Sequence, residues 1–386
     1  MRWWLGFLLS VPLCCAQNPG IEQIFNEALT AQQRGDFAAA AAAYERVLAL
    51  QPDLVPARAN LAAVLVQLGR FEEAIVGYRA GLNQGPDNPA VRLNLALAYY
   101  KKGDFSSAAG ELMPLHRREA ADARVATLLG DCFLHLGRYG EAIELLQPVV
   151  GAHPENLDAA YILGSALIRS EKLEEGLQLI ERAATGSSSA DTWLLAASTQ
   201  LRIGEFARAR ASAEAAARLA PDMAAAYTLS GIARERVGDE EGAKGAYWQA
   251  LRKNPNDFDA NLHLGSILYE LRELDGAQVC ILRALKVDPS SMLARYQMAL
   301  LKIAQDHPVE ALADLQAIAQ QDPQWLQPHV QLAALYYRLH RPAEGATERK
   351  IVDRLMADQQ KQDPRPSAGE AVRGAASQFS GPAPSH

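Results

Sequence analysis

The chain has little cysteine, few aromatic residues and no surplus of positive charge. Of its 386 residues, four are cysteines and 7% are Phe, Trp or Tyr. Lys and Arg number 38 against 45 for Asp and Glu, which gives a formal net charge of −7. Nucleic-acid-binding proteins normally need a basic surplus to neutralise phosphates, and proteins held at membrane surfaces by charge need basic clusters. The charge balance argues against both classes.

The cysteines do not form a disulfide framework. Cys14 and Cys15 lie close to the N-terminus, whereas Cys132 and Cys280 are far apart in the sequence. If they belong to separate structural repeats, their Cα atoms cannot come within the roughly 7 Å that a disulfide requires. We expect Cys132 and Cys280 to be small buried apolar residues rather than reactive thiols.

Sequence signatures of enzymes and metal sites are also absent. The eight histidines include no HExxH pair, and there is no GxSxG sequence, no P-loop and no Cys-x-x-Cys pair beyond the first 16 residues. Each of these signatures holds reactive groups at a spacing that its chemistry requires. The sequence therefore predicts no catalytic residues, no metal site and no cofactor.

The N-terminus carries a short apolar segment. Arg2 precedes an apolar stretch from Trp3 to Leu13, and small residues follow up to Ala16. About 11 apolar residues are too few to cross a bilayer, which takes roughly 20. This layout predicts a secretory signal peptide at 1–16, cleaved after Ala16, and a short linker at 17–20. The mature protein would be exported, periplasmic or secreted, with no membrane span; an uncleaved anchor is the alternative.

A period of 34 residues runs through most of the sequence. Prolines recur at this spacing or close to its double, and with the period they place ten repeats, starting at Ile21, Val55, Pro89, Ala123, Leu157, Ala190, Ala224, Phe258, Met292 and Leu326. Within each repeat, position 8 is Ala or Gly, position 20 is mostly Ala, and position 15 is mostly Gly. Small residues allow two helices to approach closely, and glycine permits the turn between them. The pattern predicts ten helix-turn-helix units.

These columns resemble those of the tetratricopeptide repeat. Tyr44, Tyr78 and Tyr247 match its aromatic position 24, and Ala183 and Ala216 match its position 27. The resemblance implies an all-α fold, an α-solenoid superhelix of about ten repeats over residues 21–359. The Pro-, Ser-, Gly- and Ala-rich tail at 360–386 is predicted to be disordered. Pentatricopeptide arrays, which bind RNA, are a related alternative, but their period is one residue longer and the acidic balance opposes them.

By the same resemblance, positions 2, 5, 6, 9, 12 and 13 of the first helix face a concave groove. Two polar columns fall there. Position 6 carries Asn26, Asn60 and Asn94 in the first three repeats, and position 13 carries Lys101, His135, Arg169, Arg202 and Arg236 in repeats three to seven. A side-chain amide can both donate to and accept from a peptide backbone, and a basic column suits acidic segments. Basic residues also stabilise a helix C-terminus without any ligand, so both interpretations stay open.

The sequence thus favours a scaffold that binds a protein or peptide partner in this groove, in an envelope or secretion-related assembly. Two alternatives remain. One is a regulatory or substrate-recruiting adaptor for an enzyme on another chain. The other is a self-associating structural array. The residues that define the repeat are separate from those that select a partner, so the sequence does not identify the partner.

Overall fold

The computed structural model of the protein describes residues 19–84 and 88–362. Within these ranges the fold is all-α, with twenty helices that hold 82% of the residues and no strands. The fold class expected from the sequence is confirmed. The predicted signal peptide at 1–16 lies outside the described residues, as does the predicted tail beyond residue 362.

The helices follow one another in antiparallel pairs, so each repeat contributes a first (A) helix and a second (B) helix. Their bounds are α1 Pro19–Gln33, α2 Phe37–Leu50, α3 Val55–Gln67, α4 Phe71–Gln84, α5 Pro89–Lys102, α6 Phe105–Arg118, α7 Ala123–His135, α8 Tyr139–Ala152, α9 Leu157–Arg169, α10 Leu173–Gly186, α11 Ala190–Arg202, α12 Phe206–Leu219, α13 Ala224–Arg236, α14 Glu240–Lys253, α15 Phe258–Glu270, α16 Leu274–Val287, α17 Met292–Ala304, α18 Pro308–Gln321, α19 Leu326–Arg338 and α20 Pro342–Gln362.

Nine of the ten A helices begin at the residue where the 34-residue period places the start of a repeat. The first, α1, begins two residues earlier, at Pro19, and the last B helix continues to Gln362. The chain forms two compact units, Met1–Ala220 and Pro221–His386. Helices α1–α12 belong to the first, called here the N-terminal unit, and α13–α20 to the C-terminal unit.

The A and B helices of a repeat touch where positions 8 and 20 face each other. In the fifth repeat both positions are glycine, at Gly164 of α9 and Gly176 of α10. A Cβ atom on Gly164 would lie 2.9 Å from the carbonyl oxygen of Gly176, and a Cβ atom on Gly176 would lie 2.7 Å from that of Gly164. The two backbones are therefore in direct contact. In the second and third repeats the same positions hold fully buried alanines.

The turn between the two helices has the same backbone conformation in every repeat. Position 15 has a positive φ angle in all ten repeats, between 56° and 85°. Six of these residues are glycines, as the sequence led us to expect, whereas Glu171, Arg272, Asp306 and His340 adopt the left-handed conformation with a side chain. Non-glycine residues enter this region at an energetic cost, so the surrounding helix pair holds them there.

We expect Gly164→Ala to destabilise the protein by about 1–3 kcal/mol, because the new methyl group meets backbone atoms that cannot move aside. Gly110 of α6 is the matched control, since a Cβ atom there has no neighbour within 4 Å. Gly110→Ala should stabilise the exposed helix by about 0.5–1 kcal/mol. Denaturant unfolding followed by circular dichroism measures both changes; equal effects of the two substitutions would contradict the close contact of α9 with α10.

Candidate functional site

The side chains at positions 2, 5, 6, 9, 12 and 13 of the A helices define a surface called here the A-helix face. All eight residues predicted to bind a partner lie on it by position. Seven of them belong to the N-terminal unit, and Arg236, at the C-terminal end of α13, belongs to the C-terminal unit. Arg236 is exposed.

The three asparagines differ in accessibility. Asn26 is exposed on α1, whereas Asn60 of α3 and Asn94 of α5 are only 2% and 5% exposed. Asn60 lies beside the hydroxyl of Tyr44, which donates a hydrogen bond to Gln32 Oε1 at 2.9 Å. Burial raises the pKa of this tyrosine well above its usual value. Asn60 is thus part of the packing between the first two repeats, and the column offers a partner one open amide.

The basic column of the N-terminal unit is more accessible. Lys101 and Arg169 are exposed in the last turns of α5 and α9, and neither forms an ion pair with another described residue. Arg202 of α11 is engaged, because its Nη2 lies 2.6 Å from Oε2 of Glu171. The ion pair with Glu171 of the preceding repeat occupies Arg202, whereas Lys101 and Arg169 keep charges that no described carboxylate neutralises.

His135 of α7 is held by aromatic rings. Its imidazole stacks on Phe105 with ring centroids 4.2 Å apart and an interplanar angle of 4°. Tyr100 approaches the same imidazole edge-on, at 6.4 Å. The side chain is nearly half exposed, so one part of the ring is packed and the other reaches solvent. These contacts fix the orientation of the imidazole before any partner binds.

A buried carboxylate lies beneath this histidine and was not predicted from the sequence. Asp131, at position 9 of α7, is 1% exposed. The hydroxyl of Tyr100 donates a short hydrogen bond to its Oδ2, and His135 Nε2 lies 3.9 Å from its Oδ1. Burial raises the pKa of Asp131, although Tyr100 and His135 both favour its charged form. The pKa of Tyr100 is also raised, first by burial and then by the hydrogen bond to Asp131.

The sequence held only a weak signal for this cluster. Asp131 interrupts an otherwise apolar or small run from Leu128 to Phe133, and a lone aspartate on a helix is commonly an exposed residue. Its donor Tyr100 lies 31 residues earlier in the chain. Only the stacking of the third repeat on the fourth, through α6 and α7, brings the hydroxyl and the carboxylate together.

The C-terminal unit contains a comparable polar cluster around Glu235 of α13. The hydroxyl of Tyr247 donates to its Oε2 at 2.8 Å, and His263 Nδ1 lies 3.0 Å from the same oxygen. Tyr247 and His263 stack with centroids 5.5 Å apart. Contact with His263 and Tyr247 outweighs burial and lowers the pKa of Glu235. The cluster joins two successive repeats of this unit through polar side chains.

No group of three or more His, Cys, Asp or Glu side chains in residues 19–84 and 88–362 could hold a metal ion. Over the same residues, no helix is both long enough and apolar enough to cross a membrane. Cys132 and Cys280 are buried and unpaired, and burial raises the pKa of the Cys132 thiol to about 12.

Comparison with known protein families identifies the repeats. Residues 24–54 and 228–280 match models described as tetratricopeptide repeat, and residues 62–103 match one described as TPR repeat. Residues 113–183 match a model described as anaphase-promoting complex, cyclosome, subunit 3. The chain therefore contains tetratricopeptide repeats, as the sequence columns predicted. Scaffolds of this kind are generally non-catalytic.

Solved structures support the same fold. A tetratricopeptide repeat protein from Parabacteroides merdae is 16% identical, with a TM-score of 0.50, and the match covers 65% of this chain and 100% of that one. The C-terminal part of a TPR repeat-containing protein from Cytophaga hutchinsonii is also 16% identical, with a TM-score of 0.51 over 62% and 98% of the two chains. No curated protein matches the chain. At these identities the likeness defines the fold alone.

The raised pKa of Asp131 predicts a pH dependence of stability. The folded state binds the Asp131 proton more tightly than the unfolded state does, so the contribution of Asp131 to stability is most favourable below the usual Asp pKa of about 3.9 and falls as pH rises above it. Asp131→Asn removes this titration. The melting temperature of the variant relative to the wild type should therefore increase between about pH 3.5 and about pH 6.5.

Tyr100→Phe serves as the opposing control. Loss of the hydroxyl removes a hydrogen bond that favours the charged carboxylate, so the pKa of Asp131 rises further and stability falls more steeply with pH. At neutral pH we expect a loss of about 1–3 kcal/mol from the unsatisfied buried acceptor. Differences from the wild type that do not change with pH in either variant would contradict the account.

Proposed function

We propose that this protein is an exported scaffold that binds a segment of a partner protein on its A-helix face. One observation carries the proposal for the N-terminal unit: Lys101 and Arg169 present charges that no described carboxylate neutralises, and the oriented ring of His135 lies on α7, the A helix between theirs. Unpaired cations beside an ordered aromatic ring can bind the carboxylates of an acidic segment. Tetratricopeptide-repeat proteins bind protein partners, which supports the same function.

The energetics of such a surface are modest for each contact. An exposed ion pair contributes about 0.2–1 kcal/mol, and helix C-termini already favour the basic residues found there. Binding therefore has to come from several contacts along consecutive A helices. The fixed orientation of the His135 imidazole favours binding, because a side chain that is already fixed loses little entropy on binding.

Export is the second part of the proposal. It rests on the charged, apolar and small-residue segments of residues 1–16, which are typical of a secretory signal. The mature chain would begin at Gln17 and would act in a periplasmic or extracellular assembly of the envelope or of secretion. The mass of the protein purified from its native cells tests this part, since an intact N-terminus would contradict cleavage.

Site-specific photo-crosslinking tests the binding surface. A photoreactive amino acid replaces Lys101 or Arg169 in one set of variants, and Arg46 or Arg218 in the control set. The controls are exposed basic residues on the B helices α2 and α12 of the same unit. After irradiation in native cells, we expect one partner to be captured at positions 101 and 169 and not at 46 and 218. Equal capture in the two sets would contradict the proposal.

Charge reversal supplies the quantitative form of the test. With the captured partner in hand, the Lys101→Glu and Arg169→Glu double variant should bind about tenfold more weakly, a loss of about 1.4 kcal/mol. The Arg46→Glu and Arg218→Glu control should bind as the wild type does. Affinity should also fall as salt increases, because exposed charges are screened.

A further inference from the structure

The A helices of the C-terminal unit present a different surface. Among the described residues, three large apolar side chains are exposed within A helices: Leu293, Val330 and Tyr337, at 49%, 41% and 45%. All three lie in α17 and α19, at positions 2, 5 and 12 of the repeat, and so on the A-helix face. The A helices of the N-terminal unit have none, since their exposed residues on this face are polar or charged.

Tyr296 joins the first turns of α17 and α19, the helices that carry these side chains. Its ring centroid lies 5.0 Å from that of Trp325 at the start of α19. Gln331 of α19 hydrogen-bonds the hydroxyl of Tyr296. At the other end of the helices, Arg338 of α19 donates to the carbonyl oxygen of Ile303 at 3.5 Å. The surface formed by Leu293, Tyr296, Val330 and Tyr337 is called here the C-terminal apolar face.

Of the four side chains of the face, Tyr296 packs against the hydrophobic core of the last repeats and Tyr337 lies against Gly345 of α20, whereas Leu293 and Val330 do neither. The local core consists of buried side chains on the other sides of the helices, namely Ala299, Ala311, Leu312, Leu315, Ala319, Leu332, Leu335 and Tyr336. Leu293 and Val330 are absent from that cluster. An apolar side chain that neither fills a core nor lies isolated is commonly part of an interaction surface.

The charges around the face indicate the sign of the partner. Of the Lys and Arg side chains of α17 and α19, Lys302 pairs with Asp314 and Arg338 with Asp306, whereas Arg295 hydrogen-bonds the uncharged amide of Gln321 and keeps its charge.

The neighbouring A helix, α15, carries acidic residues beside the C-terminal apolar face. Asp259 and Glu270 are exposed at positions 2 and 13 of α15, and neither forms an ion pair with another described residue. Helix α15 packs against α17. Among the Lys, Arg, Asp and Glu side chains of α15, α17 and α19, two carboxylates, Asp259 and Glu270, and one guanidinium, Arg295, lack an oppositely charged partner among the described residues. The net charge that borders the C-terminal apolar face and remains available to a partner is therefore negative.

We infer that the C-terminal apolar face binds a segment of the partner protein that carries apolar anchor side chains flanked by Lys or Arg. This inference rests on the proposed function and specifies the chemistry of the partner in the C-terminal unit. Leu293, Val330 and Tyr337 would bury the anchors, and Asp259 and Glu270 would attract the flanking cations. The chain's own residues 363–386 fit poorly, since Val372 and Phe379 are their only large apolar residues.

The test uses the full chain and a displayed library of random 15-residue peptides. Peptides enriched on the wild type should combine Leu, Ile, Phe or Trp with Lys or Arg. The Leu293→Asp and Val330→Asp double variant should bind them at least about tenfold more weakly, because each substitution replaces apolar contact area with a charge. The matched control carries Val279→Asp and Val309→Asp, two exposed valines on the B helices α16 and α18, and should bind as the wild type does.

One further variant tests which flanking charges the face selects, and another tests whether the chain's own tail occupies it. Asp259→Lys with Glu270→Lys should shift the enriched flanking residues from Lys and Arg to Asp and Glu. A chain that ends at Gln362 should bind the peptides with unchanged affinity; tighter binding would mean that the tail occupies the face, and would overturn the inference. Peptides whose binding is insensitive to Leu293→Asp and Val330→Asp would overturn it too, while leaving the proposed function intact. Failure to enrich any peptide would count against both.

Discussion

The contact of the A helix with the B helix at positions 8 and 20 is the constraint on which the rest of the structure depends. At Gly164 and Gly176 the two backbones touch, and elsewhere buried alanines allow nearly the same approach. The close approach of the A helix to the B helix determines which side chains are enclosed between helices and which remain on the A-helix face. It also requires a tight turn, which explains why position 15 keeps a left-handed conformation even where the residue is Glu171, Arg272, Asp306 or His340.

Because small residues close each pair, the residues of the A-helix face are free to differ between repeats. In the N-terminal unit that face carries Lys101, His135 and Arg169 above a buried Asp131. In the C-terminal unit it carries Leu293, Val330 and Tyr337 beside the acidic residues of α15. Two surfaces of different chemistry therefore arise from one repeat. A partner that used both would need an acidic segment and a basic, apolar segment.

The sequence predicted the fold well because the repeat is defined by proline, glycine and alanine, which determine where helices end and how closely they approach. Proline spacing and glycine at position 15 act within a few residues of their location, and alanine at position 20 acts within its own helix pair, so nine A helices begin where the period places them. The surfaces were harder to predict. Asn60 and Asn94 occupy the same column as Asn26, yet neighbouring side chains enclose them. The partnership of Tyr100 with Asp131, and the clustering of Leu293 with Val330, depend on contacts between repeats that no local pattern encodes.

We expect partners to bind on the A-helix face rather than on the B helices. Hydroxyl-radical footprinting measures the solvent exposure of individual side chains. It is applied to the full chain, free and bound to the partner captured by crosslinking. The account predicts lower oxidation at His135 if the N-terminal unit is occupied and at Leu293 and Tyr337 if the C-terminal unit is, with Trp248 and Met356 on the B helices unchanged. Protection of Trp248 or Met356, with the A-helix face unchanged, would contradict it.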